Sequence, residues 1–382
     1  MIQYTSKLPL VGTTIFTEMS LLAQQHQAVN LSQGFPDFLV DIELLKYLDE
    51  AAKNGFNQYA PLAGYLPLRE EIVRKIEVSH QSQYNVESEI TITAGATQAI
   101  FTIISTFINV GDEVIIIEPA YDCYEPAILM NGGLVKRIGL HYPTYDLDWN
   151  ELRSLITDKT KMIIFNNPNN PTGKIFKQED IDELIQIVKD SNIILLSDEV
   201  YENLTYDGKE HLSFARYPEL KERSFIVASF GKLCHVTGWK VGYVVAPKDL
   251  MIEYRKVHQF NVFCVNMPAQ YALAQYLKYH ADFYALTNFF QKKRDYFSKA
   301  LEGTKFDVLP VEGTYFLSVN YSEISDLGDK EFCYYLTKEH QVAAIPFSAF
   351  YNDRTDEKVI RFCFAKKEET LNLAIEKLNN LL

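Results

Sequence analysis

Between Ser229 and Tyr243 the chain reads Ser-Phe-Gly-Lys-Leu-Cys-His-Val-Thr-Gly-Trp-Lys-Val-Gly-Tyr, with Lys232 and Lys240 set among Ser229, Thr237 and glycines. Apolar runs, Phe225 to Ala228 and Val241 to Ala246, bracket the segment, so the lysines fall between two predicted strands. A partly desolvated lysine sheds its proton far more readily than a solvated one, and the free amine condenses with an aldehyde to an imine. Lys240 together with Ser229 could hold an anion such as a phosphate. An imine-forming amine beside a phosphate pocket suggests pyridoxal 5'-phosphate (PLP). Taken alone, the segment fits equally well two surface lysines in a Gly-containing loop, and the rest of the chain has to decide.

The elements that would position these groups are legible nearby. Glu113 to Glu118, Met162 to Phe165, Ile193 to Leu196, Phe225 to Ala228 and Val241 to Ala246 are short, unalternating and rich in β-branched residues. Such runs predict strands buried on both faces of a mostly parallel sheet. Helical patterns separate several of them: Thr97 to Ile108, and Gln178 to Lys189 with acidic residues first and Lys189 last, as the helix dipole favours. This alternation predicts an α/β domain whose ligands bind beyond the carboxyl ends of the strands. Asn166 to Thr172, Ser197 to Glu199 and Ser229 to Lys232 all follow strands in that sense. Helical patterns resume near Met251 and include Ala281 to Leu301; Tyr315 to Val319 and Val359 to Phe364 read as strands, and a last helix starts at Lys367. The expected division is a large cofactor domain over residues 43–280 and a smaller α+β domain over residues 281–382, joined by residues 1–42.

With 382 residues, 47% of them hydrophobic, the chain can bury a large core. A net charge of −13 argues against a general nucleic-acid binder. Five scattered cysteines read as reduced thiols, there is no zinc-like spacing, and Lys7 is not followed by the apolar stretch of a secretory signal. No apolar run approaches a membrane span. A cytoplasmic protein without membrane or nucleic-acid partners is expected.

Four segments occur in a fixed order: Gly95-Ala96-Thr97, Asn167-Pro-Asn-Asn-Pro-Thr-Gly-Lys174, Ser197-Asp-Glu-Val-Tyr201 and Ser229-Phe-Gly-Lys232, with Arg361 near the end. This ordered set resembles the class I aminotransferases of PLP fold type I over essentially the whole chain. Gln33-Gly-Phe-Pro-Asp37, Glu118-Pro-Ala-Tyr-Asp-Cys-Tyr-Glu-Pro126 and Val236-Thr-Gly-Trp-Lys240 narrow it to the branch of methionine and kynurenine or glutamine aminotransferases.

The resemblance implies a role for each position. Lys232 would hold PLP and shuttle a proton at the substrate Cα, and Asp198 would keep the pyridine nitrogen protonated. Asn170 and Tyr201 would bond the phenolic oxygen, and Tyr121 would stack on the ring. Gly95, Ala96 and Thr97, at a helix start, would join Ser229 and Lys240 in holding the phosphate. Many members carry arginine where Lys240 stands, so the bidentate fork is lost but the charge is kept. Tyr59 resembles the tyrosine that reaches the phosphate of the neighbouring subunit, which implies a homodimer with a shared site. Arg361 would pair with the substrate α-carboxylate, Gly34 would contact the same carboxylate or the substrate through its backbone, and Asn170 would also bind the substrate.

Phe16, Phe35, Tyr65, Tyr121 and Phe347 are the expected pocket walls, and no second arginine motif offers itself to a distal carboxylate. The expected reaction is ping-pong transfer of the amino group of methionine, or of an aromatic or long neutral amino acid, to a 2-oxo acid. The alternatives are a kynurenine or glutamine aminotransferase with cysteine-S-conjugate β-lyase activity and, from another class, a PLP-sensing transcriptional regulator. The regulator would need a DNA-binding domain that residues 1–30 are too short to form.

Overall fold

The computed structural model describes residues 2, 5–280 and 282–381. The larger sheet contains β1 (Ile90–Thr93), β2 (Glu113–Glu118), β3 (Leu134–Gly139), β4 (Thr160–Asn166), β5 (Ile194–Asp198), β6 (Ser224–Ser229) and β7 (Gly242–Val245). Across the sheet the order is β1-β7-β6-β5-β4-β2-β3. Strand β7 runs antiparallel to both neighbours, and the other pairings are parallel. This is the α/β arrangement that the unalternating apolar runs predict.

Those runs are apolar throughout because each strand feeds two cores. Ile115, Ile163, Phe165, Leu195 and Ile226 enter one, closed by helices Leu66–His80, Gln178–Val188 and Met267–Tyr279. Val114, Ile164, Leu196, Phe225 and Val227 enter the other, beneath helices Ala96–Phe107 and Lys248–Asn261. Each fully buried Ile, Leu or Phe contributes about 1.5–3 kcal/mol through apolar area withdrawn from water. Helix Gln178–Val188 buries Ile181, Leu184 and Val188 at helical spacing, and the Asp180 carboxylate accepts from the Lys177 N–H at 2.8 Å to cap its start.

A second, antiparallel sheet orders its strands Ile345–Pro346, Val359–Cys363, Phe316–Asn320 and Asp307–Val308. Helices Phe283–Leu301, Asp329–Glu339 and Glu368–Asn379 pack with it around Phe297, Phe332, Phe362 and Leu371. The N-terminal region joins this part of the molecule: Val29–Asn30 pairs in parallel with Val342–Ala343, and the Cys363 N–H donates to the Leu31 carbonyl at 2.8 Å. Residues 32–34 thereby reach the carboxyl edge of the large sheet. In the larger sheet two strands go beyond the sequence expectation, β1 and β3, and outside it so do the two-residue strands Val29–Asn30, Asp307–Val308, Val342–Ala343 and Ile345–Pro346. The helix expected from Ala281 is observed over Phe283–Leu301, and Ala281 itself, like residues 1 and 382, lies outside the described residues. No helix among the described residues is long and apolar enough to cross a membrane.

Candidate active site

Strand register brings the polar ends of the strands together. Asn166 at the end of β4 is opposite Asp198 at the end of β5, and Ser229 at the end of β6 is opposite Gly242 at the start of β7. Because β7 returns antiparallel, the whole segment carrying Lys232, Thr237 and Lys240 hangs over that carboxyl edge. A cavity of about 390 Å³ opens there, and Gly34, Asn170, Asp198, Tyr201, Lys232 and Arg361 all line it.

One end of the cavity is a nest for an anion. Gly95 adopts φ +82° and ψ 168°, a region essentially reserved for glycine, and launches helix Ala96–Phe107. The Ala96 and Thr97 N–H groups therefore lie in the first turn, where no intrahelical acceptor exists and the dipole favours negative charge. A Cβ on Gly95 would lie 3.3 Å from the Lys240 Nζ, so the ammonium stands directly beside the helix start. A Cβ on Gly242 would come within 2.6 Å of the Ala228 carbonyl and 3.2 Å of the Ala96 nitrogen. Ser229 Oγ, also in the lining, accepts from the Gly231 N–H at 3.2 Å and keeps its own hydrogen to donate.

Asp198 sits at the centre of the cavity floor, buried. Tyr124 Oη donates to its Oδ2 at 2.6 Å and the Val200 N–H to its Oδ1 at 3.3 Å. Burial pushes its pKa up to about 6, and the Tyr124 hydrogen bond opposes the rise. Lys232 faces it from the short helix Phe230–Leu233; burial draws its pKa down to about 8. The Lys232 Nζ donates to the Gly34 carbonyl at 3.0 Å and to Tyr315 Oη at 2.7 Å. Gly34 thus meets the lysine through its carbonyl, a contact the sequence reading did not foresee. Neither Tyr124 nor Tyr315 was singled out in the sequence, where each is one tyrosine of 24.

Arg361 stands on Val359–Cys363, one of the two inner strands of the smaller sheet, and is only 1% exposed. Its Nη1 donates to Asn170 Oδ1 at 2.5 Å and its Nη2 to the Ser32 carbonyl at 3.5 Å, while Nε is buried without a partner. The Cζ lies 3.7 Å from the Phe316 ring centroid, with Phe350 at 5.0 Å and Phe16 at 5.6 Å. Aromatic faces offset part of the cost of burying a cation, which still lowers its pKa to about 10. Its hydrogen bonds go to an amide oxygen and a carbonyl, and among the described residues the Asp122 carboxylate only feels its charge from near by, so the guanidinium is set up to receive a carboxylate.

Tyr121 and Tyr201 line the cavity as expected, the Tyr201 ring edge-on to Tyr315 at 5.2 Å. Of the expected walls, Phe16 and Tyr121 are present, whereas Phe35, Tyr65 and Phe347 are not. Phe347 is fully buried against Tyr145 and Phe350, Tyr65 packs on Phe56 and Tyr271, and Phe35 is 45% exposed beneath Lys366. Phe316 takes a wall position instead. Tyr59 is 82% exposed, packs edge-on to Phe263 at 5.5 Å, and lies outside the cavity of its own chain.

The donor set fits PLP. An anion nest, a lysine whose pKa is drawn down by burial and a buried carboxylate that forms no salt bridge among the described residues match the phosphate, the aldehyde and the pyridinium in turn. Comparison with known proteins agrees with this fit. Residues 26–378 match the family model for aminotransferase class I and II. The chain belongs to this family. The methionine aminotransferase of Escherichia coli (strain K12) is 49% identical over 377 residues, covering 98% of both chains. A kynurenine–oxoglutarate transaminase of Dictyostelium discoideum is 34% identical, covering 97% of this chain and 94% of its own. A crystal structure from Escherichia coli, described as identifying a methionine aminotransferase function, superposes with a TM-score of 0.97 at 48% identity, covering both chains fully. The protein is a PLP-dependent aminotransferase, and its larger sheet with the smaller α+β unit is the fold of that family.

Proposed function

We propose that this aminotransferase takes methionine, and beside it long neutral or aromatic amino acids, as donor and a 2-oxo acid as acceptor. The observation that carries this is the cavity's charge layout. Its cationic lining residues are Lys232, Lys240 and Arg361, each engaged by the lysine chemistry, the phosphate nest or the α-carboxylate, while Asp122 adds a negative charge. Among the described lining residues a donor with a distal carboxylate finds no further cation, whereas a thioether or ring meets Phe16, Tyr121 and Phe316. The 49% identity to a methionine aminotransferase supports the first choice, and the kynurenine transaminases support aromatic donors as secondary substrates.

Gly95, Ala96, Thr97, Ser229 and Lys240 would hold the phosphate of PLP, Lys232 its aldehyde carbon, Asp198 its ring nitrogen, and Asn170 and Tyr201 its phenolic oxygen, with Tyr121 over the ring. Once bound, PLP supplies a carbonyl carbon for the substrate amine and a cationic ring that draws off electrons as the Cα–H bond breaks. Arg361 clamps the α-carboxylate so that the Cα proton faces Lys232, whose amine removes it. Asp198 keeps its negative charge beside the ring throughout. Tyr59 from a second copy completes the phosphate site in a homodimer; its exposure, with Phe260 and Phe263 also exposed, suits an interface. Five free thiols suit a reducing cytoplasm.

Titration of the holoenzyme with L-methionine, with no oxo acid present, tests the reading. The visible cofactor band is expected to bleach as one equivalent of the matching 2-oxo acid forms. A band unchanged by methionine but bleached by aspartate or glutamate would overturn the donor assignment.

A further inference from the structure

Tyr315 has no part in the chemistry described so far, yet its hydroxyl touches the reactive amine. The residue is fully buried at the start of strand Phe316–Asn320, behind the cavity wall and not in the cavity lining. Its Oη donates to the Gly34 carbonyl at 2.5 Å, so the phenol's only hydrogen is committed there. What it presents to Lys232 is therefore a lone pair, and the Lys232 Nζ donates to it at 2.7 Å while donating to the Gly34 carbonyl at 3.0 Å. Lysine, phenol and carbonyl form a closed triangle.

A neutral amine has two hydrogens and one lone pair. With both hydrogens directed to acceptors behind the wall, the lone pair is left to point the other way, into the cavity lined by Asp198, Asn170 and Arg361. The ring is wedged in place: Tyr201 and Phe316 pack edge-on to it at 5.2 and 4.9 Å, and Phe290 packs tilted at 5.8 Å. It is also a poor proton source, since burial holds its pKa well above the usual phenol range. Tyr315 is thus an acceptor that orients without competing for the proton.

We infer that Tyr315 is a positioning residue that, with the Gly34 carbonyl, docks the free amine of Lys232 and aims its lone pair at the substrate Cα. The docked state exists whenever the amine is not bonded to carbon, which includes the interval in which it moves the Cα proton; in this sense the inference rests on the aminotransferase reading. The step itself is simple proton transfer: the Cα–H bond breaks, its electron pair stays with carbon, and the proton arrives on the Lys232 Nζ.

The test is Tyr315→Phe, which keeps the ring and removes the oxygen. A lone pair no longer held in direction should lower kcat by about ten-fold or more, because proton transfer by a positioned group depends on alignment. The KM for the amino donor should stay within about two-fold, since Arg361 and the phosphate nest are untouched. The isotope effect on kcat with Cα-deuterated methionine should rise as proton transfer becomes limiting. In the apoprotein, the rate at which Lys232 captures added PLP, followed by growth of the visible band, should fall as well. An acceptor favours the ammonium form, so the acid limb of that capture rate should shift to lower pH. Thermal melting of the apoprotein reports folding, and should Tyr315→Phe not fold, Tyr315→Leu in the same assays carries the test. A variant with wild-type kcat, isotope effect and capture profile would overturn the inference alone. Wild-type protein that fails to bleach with any amino donor would instead overturn the aminotransferase reading, and Tyr315 would then be unaffected as a partner of Lys232 in the capture assay.

Discussion

Asp198 and Lys232 are ionisable groups whose burial moves their pKa values toward each other, to about 6 and about 8. Near neutral pH the carboxylate is charged and most of the amine is still protonated, so capture of PLP by the apoenzyme should accelerate as pH rises through about 8. Stopped-flow absorbance against pH checks this, with the sign fixed: more free amine, faster capture. Asp198 has the opposite task, remaining anionic against the cost of burial, and a cationic ring at Oδ1 or Oδ2 would relieve that cost. Asp198→Asn keeps the shape and the Tyr124 contact but not the charge. Losing one partner of a buried pair costs about 3–5 kcal/mol, so kcat should fall by roughly 10²–10³-fold or more. Steady-state turnover measures it, and a fall of less than ten-fold would remove Asp198 from the electronic role. Tyr124→Phe strips only the hydrogen bond at 2.6 Å. Its effect should be smaller, about the 1.5–3 kcal/mol of a hydrogen bond to a charged group.

The elements place these groups through the turns at the carboxyl edge, and there glycines decide. Gly95 has no room for Cβ without moving Lys240, and its φ of +82° with ψ of 168° suits no L side chain. Gly95→Ala should therefore weaken PLP binding and lower the apoprotein's melting temperature, since strain of about 1–3 kcal/mol enters at the helix start. Absorbance titration with PLP and a thermal melt check the two effects separately; unchanged affinity would show that the nest does not depend on this turn. The strands beneath these turns were legible because burial on both faces makes them apolar without alternation. Two were not: Ile90–Thr93 alternates with threonine, and Leu134–Gly139, at the sheet edge, carries the half-buried, ion-paired Lys136 and Arg137. The site was legible as an ordered set of motifs, since Lys232, Asp198, Asn170, Tyr201 and Arg361 converge on one cavity although separated by up to 191 residues. Its walls were not. Phe347, Tyr65 and Phe35 look as suitable in sequence as Phe16 or Phe316, because any aromatic can face a cavity or a core, and only the packing of the smaller sheet distinguishes them. Tyr315 was hidden for the same reason: its strand reads as an apolar run, and a buried hydroxyl leaves no periodic trace.

At the scale of the whole molecule the remaining question is whether one chain owns a complete site. The phosphate nest of a single chain has N–H groups, Ser229 and Lys240, while Tyr59 is 82% exposed and lies outside the active-site cavity of its own chain. If Tyr59 serves a neighbour, Lys232 and Tyr59 of one functional site come from different subunits, and defects in the two should complement. Lys232→Ala has no nucleophile, and Tyr59→Ala has a weakened phosphate site in both copies of its dimer. In a mixed dimer, the Lys232 of the Tyr59→Ala subunit is paired with the intact Tyr59 of the Lys232→Ala subunit, so one of the two sites regains every group and the other loses both. Random exchange of equal amounts makes half of the dimers mixed, so about a quarter of all sites should recover wild-type PLP affinity. The measurement is turnover at a PLP concentration too low to saturate Tyr59→Ala, before and after subunit exchange. Activity above the sum of the separate variants requires a shared site. Activity equal to the sum, with exchange verified by a size or charge tag, would mean that each chain binds its cofactor alone and that the exposed Tyr59–Phe263 surface has another purpose.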